Sequence, residues 1–126
     1  MTLDDARKIA LSLPESAEQD HWGNPSFRVR GKIFATVPDT EHINVMINPL
    51  DVEGAINEDQ AACEGLWWGK ELRGVRVSLR KVHPPMLTAL LEAAWRRKAP
   101  RRLVAGYDAS KTGSDAHQKA PSPTRM

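Results

Sequence analysis

The sequence predicts an α+β fold, an antiparallel β-sheet with helices packed on one of its faces. Two observations carry this. Leu3, Ala6, Ile9, Ala10 and Leu13 near the start, and Leu87, Leu90, Leu91, Ala94 and Trp95 further on, recur at helical spacing. Between them lie short segments of alternating hydrophobicity joined by brief turns, the pattern of hairpins and hence of antiparallel pairing.

Each element has its own punctuation. Thr2 caps the first helix and Asp5, three residues on, completes a capping-box pattern with the shorter acid. Pro14 ends that helix, because proline lacks an N–H and crowds the residue before it. Pro25–Val29 alternates, with Phe27 and Val29 on one side and Ser26 and Arg28 on the other. Arg30-Gly31 turns the chain into Lys32–Val37, where Ile33, Ala35 and Val37 share a face. After a turn at Pro38, Asp39 and Thr40, a third strand runs His42–Ile47 and stops at Asn48-Pro49. Asp51–Cys63 reads as a second helix, with Val52, Ala55, Ile56 and Ala62 as its apolar positions. Leu66–Lys70 and Val75–Leu79 are two short strands joined around Glu71–Gly74. The third helix starts near Pro84 or Pro85, since proline fits a first helical turn, and ends before Pro100. A short helical segment, Arg101–Tyr107, follows. Residues 1–107 therefore form one domain. Residues 108–126 are rich in Ser, Lys, Pro, Gly and Thr and have too little apolar surface to offset their ordering entropy, so a disordered tail is expected there.

Net charge is +2 over 126 residues, but its distribution is polar. Residues 1–65 hold 5 Lys+Arg against 12 Asp+Glu, while residues 66–107 hold 10 against 2. Such an imbalance suits a polyanionic partner, unless the two halves satisfy each other within the fold. One cysteine, Cys63, excludes an internal disulfide framework and fits the reducing cytoplasm. No apolar run reaches the ~18 residues of a membrane span, and no secretory leader pattern opens the chain.

Catalytic and metal constellations are missing from the pattern. His21, His42, His83 and His117 are scattered, with no second ligand at metal spacing. Cys63 has no nucleophile context and reads as a structural thiol. Ser12, Ser16, Ser26 and Ser78 sit in no nucleophile elbow, and no glycine loop cradles phosphate. Neither an enzymatic activity nor a cofactor is expected.

The cations form the candidate site. Lys70, Arg73, Arg76, Arg80 and Lys81 lie on or beside the second hairpin, with Arg76, Ser78 and Arg80 facing away from Val75, Val77 and Leu79. Arg96, Arg97, Arg101 and Arg102, with Lys98 among them, crowd the end of the last long helix, where the macrodipole also favours positive charge. Trp67 and Trp68 are consecutive on a strand and so face opposite sides of the sheet; burial of both is the ordinary expectation for tryptophan. An exposed one among cations would offer a stacking surface for a base.

The segments His21-Trp22-Gly23-Asn24-Pro25-Ser26-Phe27-Arg28-Val29 and Lys32-Ile33-Phe34-Ala35, the internal Trp67-Trp68-Gly69-Lys70, and the ending Leu90–Ala94 followed by Trp95-Arg96-Arg97-Lys98-Ala99-Pro100-Arg101-Arg102-Leu103 resemble the MmcQ/YjbR family. The resemblance spans roughly Thr2 to Ala105. It implies a CyaY-like (frataxin-like) α+β shape and DNA binding through a double-wing arrangement of hairpins, with no catalytic residues to carry over. It also implies that Trp22, Pro25, Phe27 and Trp95 are framework positions.

The leading expectation is a DNA-binding module for duplex DNA with little sequence preference, its phosphates held by Lys70, Arg73, Arg76, Arg80, Arg96, Arg97, Arg101 and Arg102. The alternative is a protein-interaction or regulatory domain without enzymatic activity, whose partner includes a second copy of the chain. Iron held by Asp4 and Asp5 is the third reading, drawn from the frataxin-like shape.

Overall fold

The computed structural model describes residues 1–119, and for 112–119 the backbone alone. Its elements in chain order are α1 (Leu3–Leu11), β1 (Ser16–His21), β2 (Asn24–Val29), β3 (Lys32–Asp39), β4 (His42–Val45), α2 (Pro49–Glu58), β5 (Cys63–Trp68), β6 (Glu71–Ser78), α3 (Pro84–Lys98) and α4 (Arg101–Lys119). The six strands form one antiparallel sheet in the order β1-β2-β3-β4-β6-β5. The α+β class is as expected.

Tight turns build the left half of the sheet. Trp22 and Gly23, then Arg30 and Gly31, occupy two-residue loops with positive φ at both positions, the geometry that matches strand twist. Gly69 opens the β5–β6 loop with φ 62°, and at β3–β4 the Asp39 carboxylate accepts from the Glu41 N–H. After β4, α2 carries the chain to the far edge, and β6 returns between β5 and β4.

The register sorts the side chains. Phe27 pairs with Ala35, Ala35 with Val45, Val45 with Val75, and Ile43 with Val77. This face is fully buried and joins Ala6 and Ala10 of α1, Val52 and Ala55 of α2 and Leu87, Leu91 and Ala94 of α3 in one core. Trp95 is its largest member; its indole N–H donates to the Pro14 carbonyl at 3.0 Å. Pro14, in the turn after α1, thus receives a donor from α3; the helix itself ends three residues before the proline, at Leu11. The opposite face carries a row running Gln19, Ser26, Thr36, Asn44, Arg76, Glu64 across all six strands.

Several expectations shift. β1, absent from the sequence reading, is a polar edge strand exposed on both faces, so it lacks the alternation by which a strand is read. A bulge at Phe27/Arg28 pairs Arg28 with Ile33 and turns both Phe34 and Ala35 inward, so Ile33 does not share the face of Ala35 and Val37. Asn48-Pro49 does not merely end a strand: Asn48 caps α2, its side chain accepting from the Leu50 N–H, and Pro49 opens the helix. α2 ends at Glu58, and Cys63 is the first residue of β5, buried, its thiol pushed up to about 11 chiefly by burial and then by Asp59.

The boundary set after Tyr107 is not an element end. α4 runs through it, and Arg96 of α3 holds Asp108 by two bonds of 2.6 and 2.9 Å. The remainder of the expected disordered tail, 120–126, lies outside the described residues.

Candidate nucleic-acid interface

The open face of the sheet is the floor of a groove of about 710 Å³. Its floor is tied together by polar side chains. Arg28 Nε donates to Ser26 Oγ at 3.2 Å, and Ser26 Oγ donates to the Gln19 carbonyl at 2.8 Å. Asn44 Nδ2 donates to Thr36 Oγ1 at 3.3 Å, while Arg76 Nε donates to Asn44 Oδ1 at 3.3 Å. These bonds fix the neutral groups and leave the outer donors of Arg28 and Arg76 for a ligand; among the described residues neither arginine forms an ion pair.

A second bulge builds one end of the groove. Trp67 pairs with Leu72 and Leu66 with Gly74, so Arg73 is the extra residue of β6. A bulge re-aims the side chain it carries. Gly74 permits it: a Cβ there would overlap the Val45 carbonyl oxygen and lie 3.0 Å from Met46 Cα. Arg73 stacks on Trp68, its Cζ 4.4 Å from the ring centroid, and pairs with Glu71 at 3.1 Å.

The end of α3 arrives at the same place. Arg97 donates to the Met46 carbonyl at 2.6 Å, anchoring the helix terminus to the chain leaving β4. Lys98 lines the groove beside it. Its ammonium is held below the usual lysine range, first by burial and then by repulsion from Arg97, Arg73 and Lys32. Cations from three elements thus bear on Lys98, and an anion placed beside it would relieve that repulsion. Glu71, already paired with Arg73, is the carboxylate among the described lining residues.

Two tryptophans flank the groove. Trp68 borders it at the Arg73 end, 55% exposed, and Trp22 borders it at the β1–β2 turn, 89% exposed. Trp67 is also exposed, at 57%. The expectation that Trp67 and Trp68 are packed fails because β5 is an edge strand and neither ring has a layer over it. Of the implied framework positions, Phe27 and Trp95 are core, whereas Trp22 supports nothing and stands at a turn tip.

The eight expected contact residues do not form one cluster. Arg73 and Arg97 meet in the groove, and Arg76 lies on its floor row through Asn44. Lys70 sits in the β5–β6 turn beside Arg73. Arg80 falls in the turn after β6, roughly 20 Å from Arg73 at ~3.3 Å per residue. Arg96 is held by Glu92 and Asp108 and joins α3 to α4. Arg101 is exposed on the first turn of α4, and Arg102 lines a separate groove of about 600 Å³ with Glu15 and Arg30. The expected contact set left out Arg28 and Lys32, and also Lys98, although Lys98 stands in the cation cluster read at the end of the long helix. Arg28 had a signal, since alternation set it opposite Phe27 and Val29; the approach of Lys32 to Lys98 depends on tertiary packing.

The acids read as metal candidates are otherwise engaged. Asp5 completes the capping box with Thr2, which holds its carboxyl below the usual range, and Asp4 pairs with Arg7. Among the described residues no three His, Cys, Asp or Glu side chains converge to hold a metal ion. No helix among them is long and apolar enough to cross a membrane.

A six-stranded antiparallel sheet, helices on one face and a basic, tryptophan-flanked groove on the other, defines a small α+β domain with one open sheet face. A family model described as YjbR matches residues 11–97, and the chain belongs to the YjbR family. No curated protein and no solved structure matches the chain. The matched span covers the sheet and most of α3, and ends before α4.

Proposed function

We propose that this chain is a cytoplasmic DNA-binding module without catalytic chemistry, holding the phosphate backbone in the open groove with little preference for sequence. The observation that carries the reading is the convergence of Arg73, Arg97 and Lys98 in one groove, where the β6 bulge meets the end of α3. The charge halves do not neutralise each other: every ion pair among the described residues joins groups within 1–65 or within 66–119. The basic segment therefore keeps its field for an external anion. Phosphate contacts bring affinity and no base reading.

Salt titration tests this. Log affinity for an oligonucleotide should fall linearly with log salt concentration. Replacing Arg73 and Lys98 together by Gln should flatten that slope by roughly 0.7–0.9 per lost phosphate contact, while Arg101→Gln with Arg102→Gln leaves it in place. No binding at low salt, or equal slopes in the groove variant and the parent, would refute the proposal.

A further inference from the structure

Resting on that reading, we infer that the strand in the groove is single, with unstacked bases lying on Trp68 at one end and Trp22 at the other. Both rings border the same groove and both are mostly free of the protein. Trp22 is the more telling. It holds φ 56° at the first central position of a two-residue turn, where asparagine, aspartate or glycine is favoured and a bulky side chain is strained. Its ring touches the edge of His21 and gives the core nothing. A costly residue that stabilises nothing in the fold is accounted for by a ligand. At the other end, Arg73 covers one face of Trp68, which fixes the ring and leaves its other face for a base while the guanidinium neutralises the adjoining phosphate.

The spacing suits a strand and not a helix pair. Trp22 stands in the turn before β2 and Trp68 ends β5, four strand spacings apart and at opposite strand ends. At ~4.8 Å per strand and ~3.3 Å per residue the diagonal is roughly 30 Å, within reach of the ~4–16-nucleotide sites of other sheet surfaces that bind single strands. Between the rings run Arg28, Thr36 and Asn44, polar groups that accept a flexible backbone. In a duplex the base faces are stacked on each other, and both tryptophans would be left without a partner.

Fluorescence anisotropy on the full chain at low salt tests this with one sequence of about 12 nucleotides as single-stranded DNA, as single-stranded RNA and as a hairpin duplex. Either single strand should bind about tenfold or more tighter than the duplex and quench tryptophan emission; the DNA and RNA arms name its source. Trp68→Ala and Trp22→Asn should each weaken single-strand binding roughly 5- to 100-fold with the salt slope unchanged. Trp22→Asn should also melt at or above the parent temperature, which separates lost stacking from lost folding. Tighter binding of the duplex, or unchanged affinity in both tryptophan variants, would overturn the inference while leaving DNA binding intact. Failure of all three probes to bind would overturn both.

Discussion

Gly74 shows how a single residue shapes the groove. Its missing side chain lets β4 and β6 approach at the bulge, so Arg73 can turn toward Trp68. Gly74→Ala is expected to cost at least about 2 kcal/mol, because the clash is with backbone that cannot move aside. Gly54→Ala, in α2 with nothing within 4 Å of the added carbon, is expected to gain up to ~1 kcal/mol from helix propensity. Urea unfolding of the two variants checks the opposite signs; equal effects would show that the close approach is unimportant. Nothing in the sequence around Gly74 distinguishes it from the turn glycines, since its constraint comes from Val45, far away in the chain. Phe27 and Val29 were legible by contrast, because strict alternation is a local property.

At the scale of elements, α4 is the part that neither the sequence reading nor the family match covers fully. Its docking joins apolar packing of Leu103, Val104 and Tyr107 on the core to polar ties with α3. Tyr107 donates to Glu92 at 2.7 Å and meets Trp95 edge-on at 5.1 Å, and Arg96 grips Asp108. A composition reading misses the part of the helix beyond Tyr107 because its order comes from side-chain pairs such as Arg96–Asp108 and Lys111–Glu92, the apolar contacts having ended at Tyr107. The Tyr107 hydroxyl is pushed up to about 12, by burial first and then by the Glu92 carboxylate. Its folded value lies above its unfolded one of ~10, so its contribution is complete below pH ~10 and is lost as pH rises through about 12. Cys63 acts with the same sign, from the ordinary 9.0 up to about 11. Thermal melts of Tyr107→Phe against the parent isolate the tyrosine: the variant should lose less stability than the parent across that window, and parallel losses would contradict the assignment. β1 is the other element the sequence concealed, for the opposite reason. Its polar residues are correct for an edge exposed on both sides, and only the Trp22-Gly23 turn betrays it.

Across the whole molecule, charge polarity was visible in the sequence and its destination was not. The division between residues 1–65 and 66–107 does map onto separate ion-pair sets, but the basic residues disperse over the β6 bulge, the turn after β6 and the two ends of the α3–α4 junction. Folding selects Arg73, Arg97 and Lys98, recruits Lys32 from the acidic half and retires Arg96 to a structural pair. The central claim is therefore one of place: nucleic acid lies on the open sheet face. Backbone amide and indole N–H chemical shifts, followed while an oligonucleotide is added, test it most directly. Arg28, Thr36, Asn44, Arg73 and Lys98 and the indoles of Trp22 and Trp68 should shift together, with Arg80, Arg101 and Arg102 still. Shifts confined to the start of α4 and the turn after β6, with the groove unmoved, would contradict it.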